Sequence, residues 1–443
     1  MGVNVPALRS HNAALVLDLL RTAGETGISR LELAERTGLT PQAVSKITAR
    51  LRAEGLATEA GHRASTGGKP RTVLRLVPSA AYAVGVHLDR DQLTTLLADL
   101  AGATAALRRR PVDLGAGPGP VLDAVTEEVR ALLAMVPGDG GAISHGAHSP
   151  GPALPDAALP GGGRPGAAPP GGSLPGGGLP DGGPPGGGLP GGSLPDGGLP
   201  SAAPPGETLL AAAPPGESAP GADPGLRPGP RPGRVLGVGV AMPGPLDHRA
   251  GVTGRVTGFP EWAGRPVRDE LTARLGLPVV LDKDTNAAAL GLALRPAAPG
   301  SFAYVHLGTG LGAGLVLGGA PLRGDRTGAG ELGHQTVQLD GPPCGCGGRG
   351  CLEVLCLAAV ARGEHDEAAR ILGVGAANLV RLLDIDQVLL GGRVVLAAPE
   401  VFAAGVREVL GGLGLATPVG LATGRDAVAE GAAWLTRAPV FGK

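Results

Sequence analysis

A short glycine-rich segment that holds three of the four cysteines constrains this chain more than any other feature. Cys344, Cys346 and Cys351 are separated mostly by glycine, and they follow His334 closely along the chain. Thiolates and imidazoles are the preferred ligands of tetrahedral zinc, and glycines let so short a loop fold its sulfurs around one ion. Four protein ligands leave no open coordination position. We therefore predict a structural Zn²⁺ site with the ligands His334, Cys344, Cys346 and Cys351.

The remaining cysteine, Cys356, leaves other interpretations of this segment open. The thiols could form a disulfide, they could be unrelated buried groups, or Cys356 could replace His334 in a site of four cysteines. Otherwise Cys356 is a small core residue on the helix that follows. A structural ion would orient nearby acidic side chains such as Glu331 and Glu353.

Composition limits the class of protein. The chain has 443 residues, a formal net charge of -1 and 2% aromatic residues, and it lacks an apolar run of membrane-spanning length. The apolar stretch 13–20 is interrupted by Asp18 and does not resemble a signal peptide. We expect a soluble, cytoplasmic protein of two or three domains with no membrane partner, in which reduced thiols are available for metal binding.

The first 78 residues read as a small basic domain. They contain eleven Arg plus Lys and six Asp plus Glu, whereas the rest of the chain is acidic. Ser10 is positioned to cap a first helix and Ser29 a second, and Gly38 breaks the second helix. Thr40-Pro41 then opens a third helix.

In this third helix Val44, Ile47 and Leu51 recur at helical spacing, so they face the core and leave polar residues outward. Two helices joined by a short turn predict a helix-turn-helix, whose second helix enters the major groove of double-stranded DNA. The alternative is a three-helix interaction domain with a solvated positive face. A basic glycine-rich segment and an alternating strand follow and predict a wing. The candidate DNA-binding residues are Thr40, Gln42, Ser45, Lys46, Arg50, Lys69 and Arg71.

Residues 138–233 differ from the rest of the chain. Proline recurs there with a period of five residues among glycines, so the segment has little apolar bulk to bury and we predict a disordered insert. Expansion of a repetitive sequence in a surface loop explains it more simply than partner binding. The predicted divisions of the chain are a winged helix-turn-helix at 1–78, the first part of a body at 79–137, the insert at 138–233, and the rest of the body at 234–443.

The body alternates short apolar runs with helix-like stretches, which predicts an α/β fold. The predicted strands are 82–88, 94–99, 235–241, 279–282, 302–307, 313–317 and 387–390.

Several motifs of the body resemble those of the ROK family of sugar kinases and carbohydrate-responsive repressors. The set comprises the His334 and cysteine cluster, Gly237-Val-Gly-Val-Ala-Met-Pro243-Gly244-Pro245, Asp282-Lys-Asp284-Thr-Asn286, Gly308-Thr-Gly310-Leu-Gly312 and Leu389-Leu-Gly391-Gly392. The resemblance covers nearly everything except the insert. It implies a two-lobed, actin-like body that clasps a sugar, and winged domains precede this body in the repressor branch.

The resemblance also implies roles for residues of the cleft. Asp284 matches the general base of the kinases, and it is catalytic only if kinase activity is retained; its other interpretation is a cap on a helix beginning at Asn286. Lys283 replaces an asparagine, which suggests either an anionic ligand or an ion pair with Asp282, and Gly258 replaces a second asparagine. The candidate ligand-binding residues are Trp262, Lys283, Asp284, Glu331, His334 and Glu353.

The nucleotide side departs from the kinase pattern. Kinases of the family begin with Asp-Xaa-Gly-Gly-Thr, whereas this chain has His87-Leu-Asp89-Arg-Asp91, with two carboxylates where phosphate must approach. The second phosphate loop keeps Gly308, Thr309, Gly310 and Gly312, although such a run could be only a tight hairpin. Between Glu353 and Leu389 about half of the family's helical sequence is present, so one or two helices are expected to be missing.

These features predict a DNA-binding transcriptional regulator, a repressor, that senses a sugar or sugar phosphate and acts as a homodimer or homotetramer on a symmetric operator. One alternative is an ATP-dependent sugar kinase with an appended DNA-binding domain. Another is a DNA-binding protein that responds to no ligand.

Overall fold

The computed structural model describes residues 5–63, 71–136 and 234–443. In these residues a winged helix-turn-helix is followed by a two-lobed α/β body, and the predicted fold class is confirmed. The predicted insert at 138–233 and the tip of the wing, including Lys69, lie outside the described residues.

The winged domain is built from three helices and a small antiparallel sheet. Its elements are α1 (Val5–Ala23), β1 (Ile28–Ser29), α2 (Arg30–Thr37), α3 (Pro41–Ala53), β2 (Ala57–Arg63) and β3 (Arg71–Leu76), with the sheet order β1-β3-β2.

The caps of α2 and α3 follow from the sequence. Ser29 and Glu32 form a reciprocal capping box, in which each side chain accepts a hydrogen bond from the other residue's backbone N–H, and Thr40 caps α3. Helix α1 begins at Val5, so the expectation that Ser10 caps it is wrong.

The winged domain and the body share a hydrophobic core. Val16 and Leu20 of α1 belong to the same buried cluster as Trp434 and Phe441 near the end of the chain. The chain passes from β3 to the body through residues 77–80 alone. Helix α1 is therefore packed onto the body as well as connected to it.

The first lobe contains a five-stranded sheet of order β10-β7-β4-β5-β6, in which β7 is parallel to β4 and β10. Its elements are β4 (Ala81–Leu88), β5 (Gln92–Asp99), β6 (Thr104–Pro111), α4 (Pro118–Leu133), β7 (Arg234–Met242), β8 (Leu246–Asp247), β9 (Val252–Thr253), α5 (Val267–Leu275) and β10 (Val279–Lys283).

The second lobe contains another five-stranded sheet, of order β13-β12-β11-β14-β15. The remaining elements are α6 (Asp284–Ala293), β11 (Phe302–Leu307), β12 (Leu311–Leu317), β13 (Ala320–Leu322), α7 (Leu352–Ala361), α8 (His365–Leu383), β14 (Gln387–Gly391), α9 (Arg393–Ala397), α10 (Pro399–Gly412), β15 (Val419–Leu421) and α11 (Ala427–Arg437).

Helices α6 and α11 join the two sheets. Helix α11 packs on β4 and β7 of the first sheet, α6 packs on β12 of the second, and the helices pack against each other. Glycines permit this close approach: a Cβ atom at Gly239 would overlap the carbonyl oxygen of Ala432, and one at Gly431 would overlap that of Ala287. The lobes therefore meet through backbone contacts that larger residues would prevent.

All seven predicted strands of the body are present, with ends shifted by no more than two residues. Strand β6 was not predicted, because its edge position leaves alternate residues exposed and its sequence contains three consecutive arginines. Among the described helices none is both long and apolar enough to cross a membrane.

Candidate functional site

The predicted metal ligands converge on one point. The donor atoms of His334, Cys344, Cys346 and Cys351 all lie within 4.8 Å of one another. The Sγ of Cys344 is 3.7 Å from Nδ1 of His334, and the Sγ atoms of Cys346 and Cys351 are also 3.7 Å apart. A tetrahedral zinc with Zn–S bonds of about 2.3 Å requires sulfur atoms about 3.8 Å apart. The donor set and its spacing therefore fit a structural zinc ion.

The backbone of the loop explains how these donors meet. Gly350 has a φ of 56°, and a Cβ atom there would overlap the carbonyl oxygen of Gln338. Cys351 directly precedes α7. Cys356 lies one turn into α7, where it is buried and its thiol donates to the carbonyl of Ala368 at 3.4 Å. This side chain faces the core of the second lobe and not the other three sulfurs, so the alternative with Cys356 as a ligand is wrong.

Next to this centre lies a cleft lined by both lobes. Five predicted ligand-binding residues line it: Lys283, Asp284, Glu331, His334 and Glu353. Asp89, Arg90 and Thr309, which the motifs assigned to the nucleotide side, line the same cleft, and so do Thr257 and His306, to which no motif assigned a ligand. His334 thus belongs both to the cleft and to the candidate metal centre.

Lys283 is buried in the wall of the cleft with a specific partner. Its side chain is 4% exposed, and Nζ donates to Oε1 of Glu331 at 3.0 Å and to the carbonyl of Ala329 at 2.6 Å. Asp282 pairs instead with Arg323 at 2.7 Å. Successive side chains of a strand point to opposite faces, so the side chains of Asp282 and Lys283 at the end of β10 point away from each other. The predicted alternative of a Lys283–Asp282 ion pair is wrong.

Asp284 lies at the first position of α6, directly after Lys283, so it does not cap a helix beginning at Asn286 as expected. Burial raises the pKa of Asp284 to about 7, and the nearby charge of Lys283 opposes this shift only in part. A carboxyl group with this pKa is divided between its two protonation states at neutral pH. It can therefore accept or donate a proton.

Trp262 does not contact the cleft. It is completely buried, and its indole N–H donates to the carbonyl of Leu114 at 3.0 Å. Its predicted role in ligand binding is therefore corrected to support of the loop that carries Thr257, which does line the cleft.

The two turns that correspond to the phosphate loops contact each other. Oδ1 of Asp89, in the turn after β4, accepts a hydrogen bond of 2.6 Å from the hydroxyl of Thr309, and Arg90 donates to the carbonyl of Thr309. The N–H of Gly308 donates to the carbonyl of Gly310 at 2.9 Å, so the run through Gly312 forms the tight hairpin between β11 and β12.

A half-buried histidine, His306, lies beside this contact. Burial, together with the neighbouring His87, lowers the pKa of His306 to about 4, so its imidazole is neutral at physiological pH. Its Nδ1 lies 2.9 Å from the hydroxyl of Tyr304. No motif pointed to this residue, because only the pairing of β11 with β14 brings it to the cleft.

The outer face of α3 is exposed. Gln42, Ser45 and Lys46 are exposed, as expected from the helical spacing, while Arg50 is half-buried and lies 3.5 Å from Glu54. Thr40 accepts a hydrogen bond from the N–H of Ala43 and so caps α3. Arg71 is exposed at the start of β3, beside the wing tip.

Comparison with known protein families gives two matches. Residues 17–58 match the family described as winged helix-turn-helix DNA-binding, and residues 230–362 match the ROK family. The chain thus contains a ROK family domain behind a winged helix-turn-helix domain. Its winged domain precedes the ROK body, as the resemblance of the motifs implied.

The curated proteins similar to this chain include both enzymes and repressors. The glucokinase of Thermotoga maritima is 42% identical over 128 residues, which cover 28% of this chain and 40% of the glucokinase. The xylose repressor of Caldicellulosiruptor bescii is 27% identical over 222 residues, which cover 40% of this chain and 55% of the repressor. The chain thus aligns with about half the length of such relatives.

A solved structure shares the fold across almost the whole chain. It is a ROK family transcriptional regulator described as a homologue of the E. coli MLC protein, and it superposes with a TM-score of 0.60 at 18% identity. The match covers 98% of this chain and 97% of that one.

Proposed function

We propose that this chain is a DNA-binding transcriptional repressor whose ROK body binds a sugar without transferring phosphate to it. The contact between Asp89 and Thr309 carries this proposal, because it occupies the place where the resembling kinases bring two small-residue loops around phosphate. The domain order and the likeness to xylose repressors support the same assignment.

The charge of the first turn opposes nucleotide binding. Burial tends to raise the pKa of Asp89, but the nearby His87 and the hydrogen bond from Thr309 outweigh that effect, and the pKa is lowered. Asp89 is thus an anion at neutral pH. Asp91, two residues further on, is held by Arg393 at 2.7 Å. Carboxylates at this position repel the phosphates of ATP and leave the glycine hairpin without a matching partner loop.

The cleft beside this contact suits a neutral, hydroxyl-rich ligand. Asp284, Glu331 and Glu353 present carboxyl oxygens that accept hydrogen bonds from hydroxyl groups. Lys283 could attract an anion, but its charge is already offset by Glu331. The effector that we propose is therefore a sugar in preference to a sugar phosphate.

A zinc ion would fix the positions of residues that line this cleft. His334, Cys344, Cys346 and Cys351 would bind the ion, which leaves no position for substrate and supplies no catalytic chemistry. The N-terminal turn of α7, which follows Cys351, contributes Glu353, and Oε2 of this residue accepts from the N–H of Leu311 at 2.8 Å. A loop held by the ion would therefore fix both His334 and Glu353 in the lining of the cleft.

The DNA-binding residues that we propose are Gln42, Ser45 and Lys46 on α3, together with Thr40, Arg50, Lys69 and Arg71. Side chains of these types reach base edges and phosphates from a helix in the major groove and a wing beside it. We propose a homodimer or homotetramer, because two winged domains related by a twofold axis match a symmetric operator of double-stranded DNA.

A sugar kinase is the second candidate. Asp284, with a pKa of about 7 in the cleft, is suited to general-base work, and relatives include glucokinases. An assay for ADP release distinguishes the two candidates, because a sugar-sensing repressor binds sugar without consuming ATP.

One set of experiments tests the assignment. Selection of duplexes from a random library by the full chain is expected to yield a symmetric sequence, whose affinity then changes with one or more members of a panel of neutral sugars and their phosphates. A coupled assay for ADP release over the same panel is expected to show no turnover. Sugar-dependent ADP release at rates of about 1 to 100 per second would assign a kinase instead. If no duplex binds, the proposal of a DNA-binding regulator is refuted.

A further inference from the structure

The three sulfur atoms of the candidate metal centre differ in their access to solvent. Cys346 is exposed, Cys344 is half-buried, and Cys351 is buried with an exposure of 1%. The fourth cysteine of the chain, Cys356, is completely buried in the core of the second lobe. An oxidant must contact the sulfur with which it reacts. Cys346 is therefore the cysteine that a small oxidant in solution reaches first.

A second sulfur lies next to the exposed one. The Sγ atoms of Cys346 and Cys351 are 3.7 Å apart. A disulfide bond is about 2.05 Å long, so the two atoms need to approach each other by about 1.7 Å. The segment between them, 347–350, contains three glycines, of which Gly347 and Gly350 have φ values of 94° and 56°. A segment so rich in glycine has the conformational freedom for this small adjustment.

Cys344 is less suited to pair with Cys346. Only Gly345 separates the two residues, and a disulfide across one intervening residue strains the geometry that the bond requires. The Sγ of Cys344 also lies against the imidazole of His334, 3.7 Å from Nδ1. The exposed sulfur is therefore better placed to pair with Cys351.

We propose that Cys346 and Cys351 are a site of reversible oxidation, at which a peroxide converts two metal-binding thiols into a disulfide. The sulfur of Cys346 attacks one oxygen of hydrogen peroxide, the O–O bond breaks, water leaves, and a sulfenic acid remains. The sulfur of Cys351 then attacks the sulfenic sulfur, and the S–S bond forms as a second water leaves. The two thiols lose two electrons and two protons, and the peroxide gains them; where the thiols are ionised, solvent supplies the protons.

The disulfide and the metal centre exclude each other. The disulfide uses two of the four donors, and the remaining pair, His334 and Cys344, cannot form a closed tetrahedral site. Helix α7 begins directly after Cys351 and carries Glu353 in its first turn. Loss of the ion would therefore release His334 and Glu353, which both line the cleft, although the two oxidised cysteines lie outside it. This inference depends on the candidate metal centre and not on the proposed repressor.

The test uses the full chain, purified with a reductant that is then removed, and hydrogen peroxide as the oxidant. Alkylation of the unfolded chain is expected to count four thiols before treatment and two after it. Unreduced digests should contain a peptide that joins Cys346 to Cys351, and about one zinc per chain should be released to a chromogenic chelator. The melting temperature should fall as the metal leaves. Dithiothreitol followed by zinc should reverse all of these changes.

Two substitutions form a matched pair. Cys344→Ser and Cys351→Ser each remove one thiol from the candidate metal centre, but only the second removes the partner of Cys346. Peroxide should still form the disulfide in the first variant, and this reaction should be lost in the second. Cys356→Ala, outside the centre, should react like the wild type. If Cys351→Ser does not fold, Cys346→Ser at the exposed position tests the same pair.

The proposal is overturned if excess peroxide leaves all four thiols open to alkylation, if Cys346 pairs with Cys344, or if Cys346 is oxidised to a sulfinic acid without a disulfide. A chain purified without metal would refute the candidate zinc centre, and the thiol count and the peptide map would still decide whether the disulfide forms. These readouts require no DNA and no sugar. A chain that failed to bind any duplex would refute the proposed repressor and leave the oxidation site standing.

Discussion

The carboxylate of Asp89 and the hydroxyl of Thr309 are joined by a hydrogen bond of 2.6 Å, although the two residues are 220 positions apart in the chain. The bond connects a turn of the first lobe to a hairpin of the second. These are the two segments that match the phosphate loops of the resembling kinases.

Removal of that hydroxyl is expected to weaken the contact between the lobes. Thr309→Val should lower the free energy of unfolding by about 1.5 to 3 kcal/mol, because the bond is made to a charged acceptor and the carboxylate is left partly buried. Urea denaturation measures the change. Thr272→Val is the matched control, since its hydroxyl donates to the carbonyl of Arg268 on an exposed helix surface. If both substitutions lower the free energy of unfolding equally, the contact with Asp89 stabilises the fold no more than an exposed hydrogen bond on a helix does.

Metal content tests the candidate zinc centre. Purified protein is expected to contain about one zinc per chain, and Cys346→Ser should reduce this content strongly and lower the melting temperature. Cys346 is exposed, so its replacement disturbs little packing of its own. Cys356→Ala, which removes a buried thiol on α7, should retain the metal even if it reduces stability. Metal-free wild-type protein with unchanged stability would refute the centre.

The pKa of Asp284 predicts a pH dependence with a definite sign. Between about pH 4 and the folded pKa of about 7, the folded state retains a proton that the unfolded chain has released. Stability from this group therefore falls as pH rises through that window.

Asp284→Asn should remove this slope and make the protein more stable than wild type at pH 8, by on the order of 1 to 3 kcal/mol. Denaturation curves at pH 5 and pH 8 measure the difference. Asp325→Asn, at an exposed position, is the control for removal of a carboxylate as such. A variant of Asp284 with the same slope as wild type would show that this carboxyl is ionised normally.

The face of α3 can be tested through the salt dependence of DNA binding. Lys46→Ala should weaken binding to all duplexes and reduce the slope of log K against log salt by about one, if the lysine contacts a phosphate. Fluorescence anisotropy at several salt concentrations gives the slope. Arg370→Ala removes an exposed cation from α8 in the body and should change neither quantity. An unchanged slope for Lys46→Ala would place the DNA elsewhere.

Sequence patterns predicted the elements of this fold better than the directions of individual side chains. Apolar runs predicted the seven body strands, and the caps at Ser29 and Thr40 marked α2 and α3, because both signals are local. The edge strand β6 was not predicted, because its alternating polar residues leave it without an apolar run.

Contacts within the cleft depended on the assembled lobes. Lys283 is bound by Glu331 and Trp262 by Leu114, and neither partner is near in sequence. The motif around Lys283 placed it in the cleft correctly, but only the pairing of β10 with β7 determines which way each side chain of the strand points. The four residues of the candidate metal cluster could be predicted because they lie within a short loop and the adjacent turn.

Packing of α1 against Trp434 and Phe441 has a mechanical consequence. The winged domain is connected rigidly to α11 for two reasons. Residues 77–80 are too few to form a flexible linker, and the shared core holds α1 against the body. A rotation of a few degrees between the two sheets would therefore move α3 relative to bound DNA, because no flexible linker absorbs the rotation. In the proposed dimeric repressor, DNA binding would then depend on the angle and spacing of two winged domains that both remain folded.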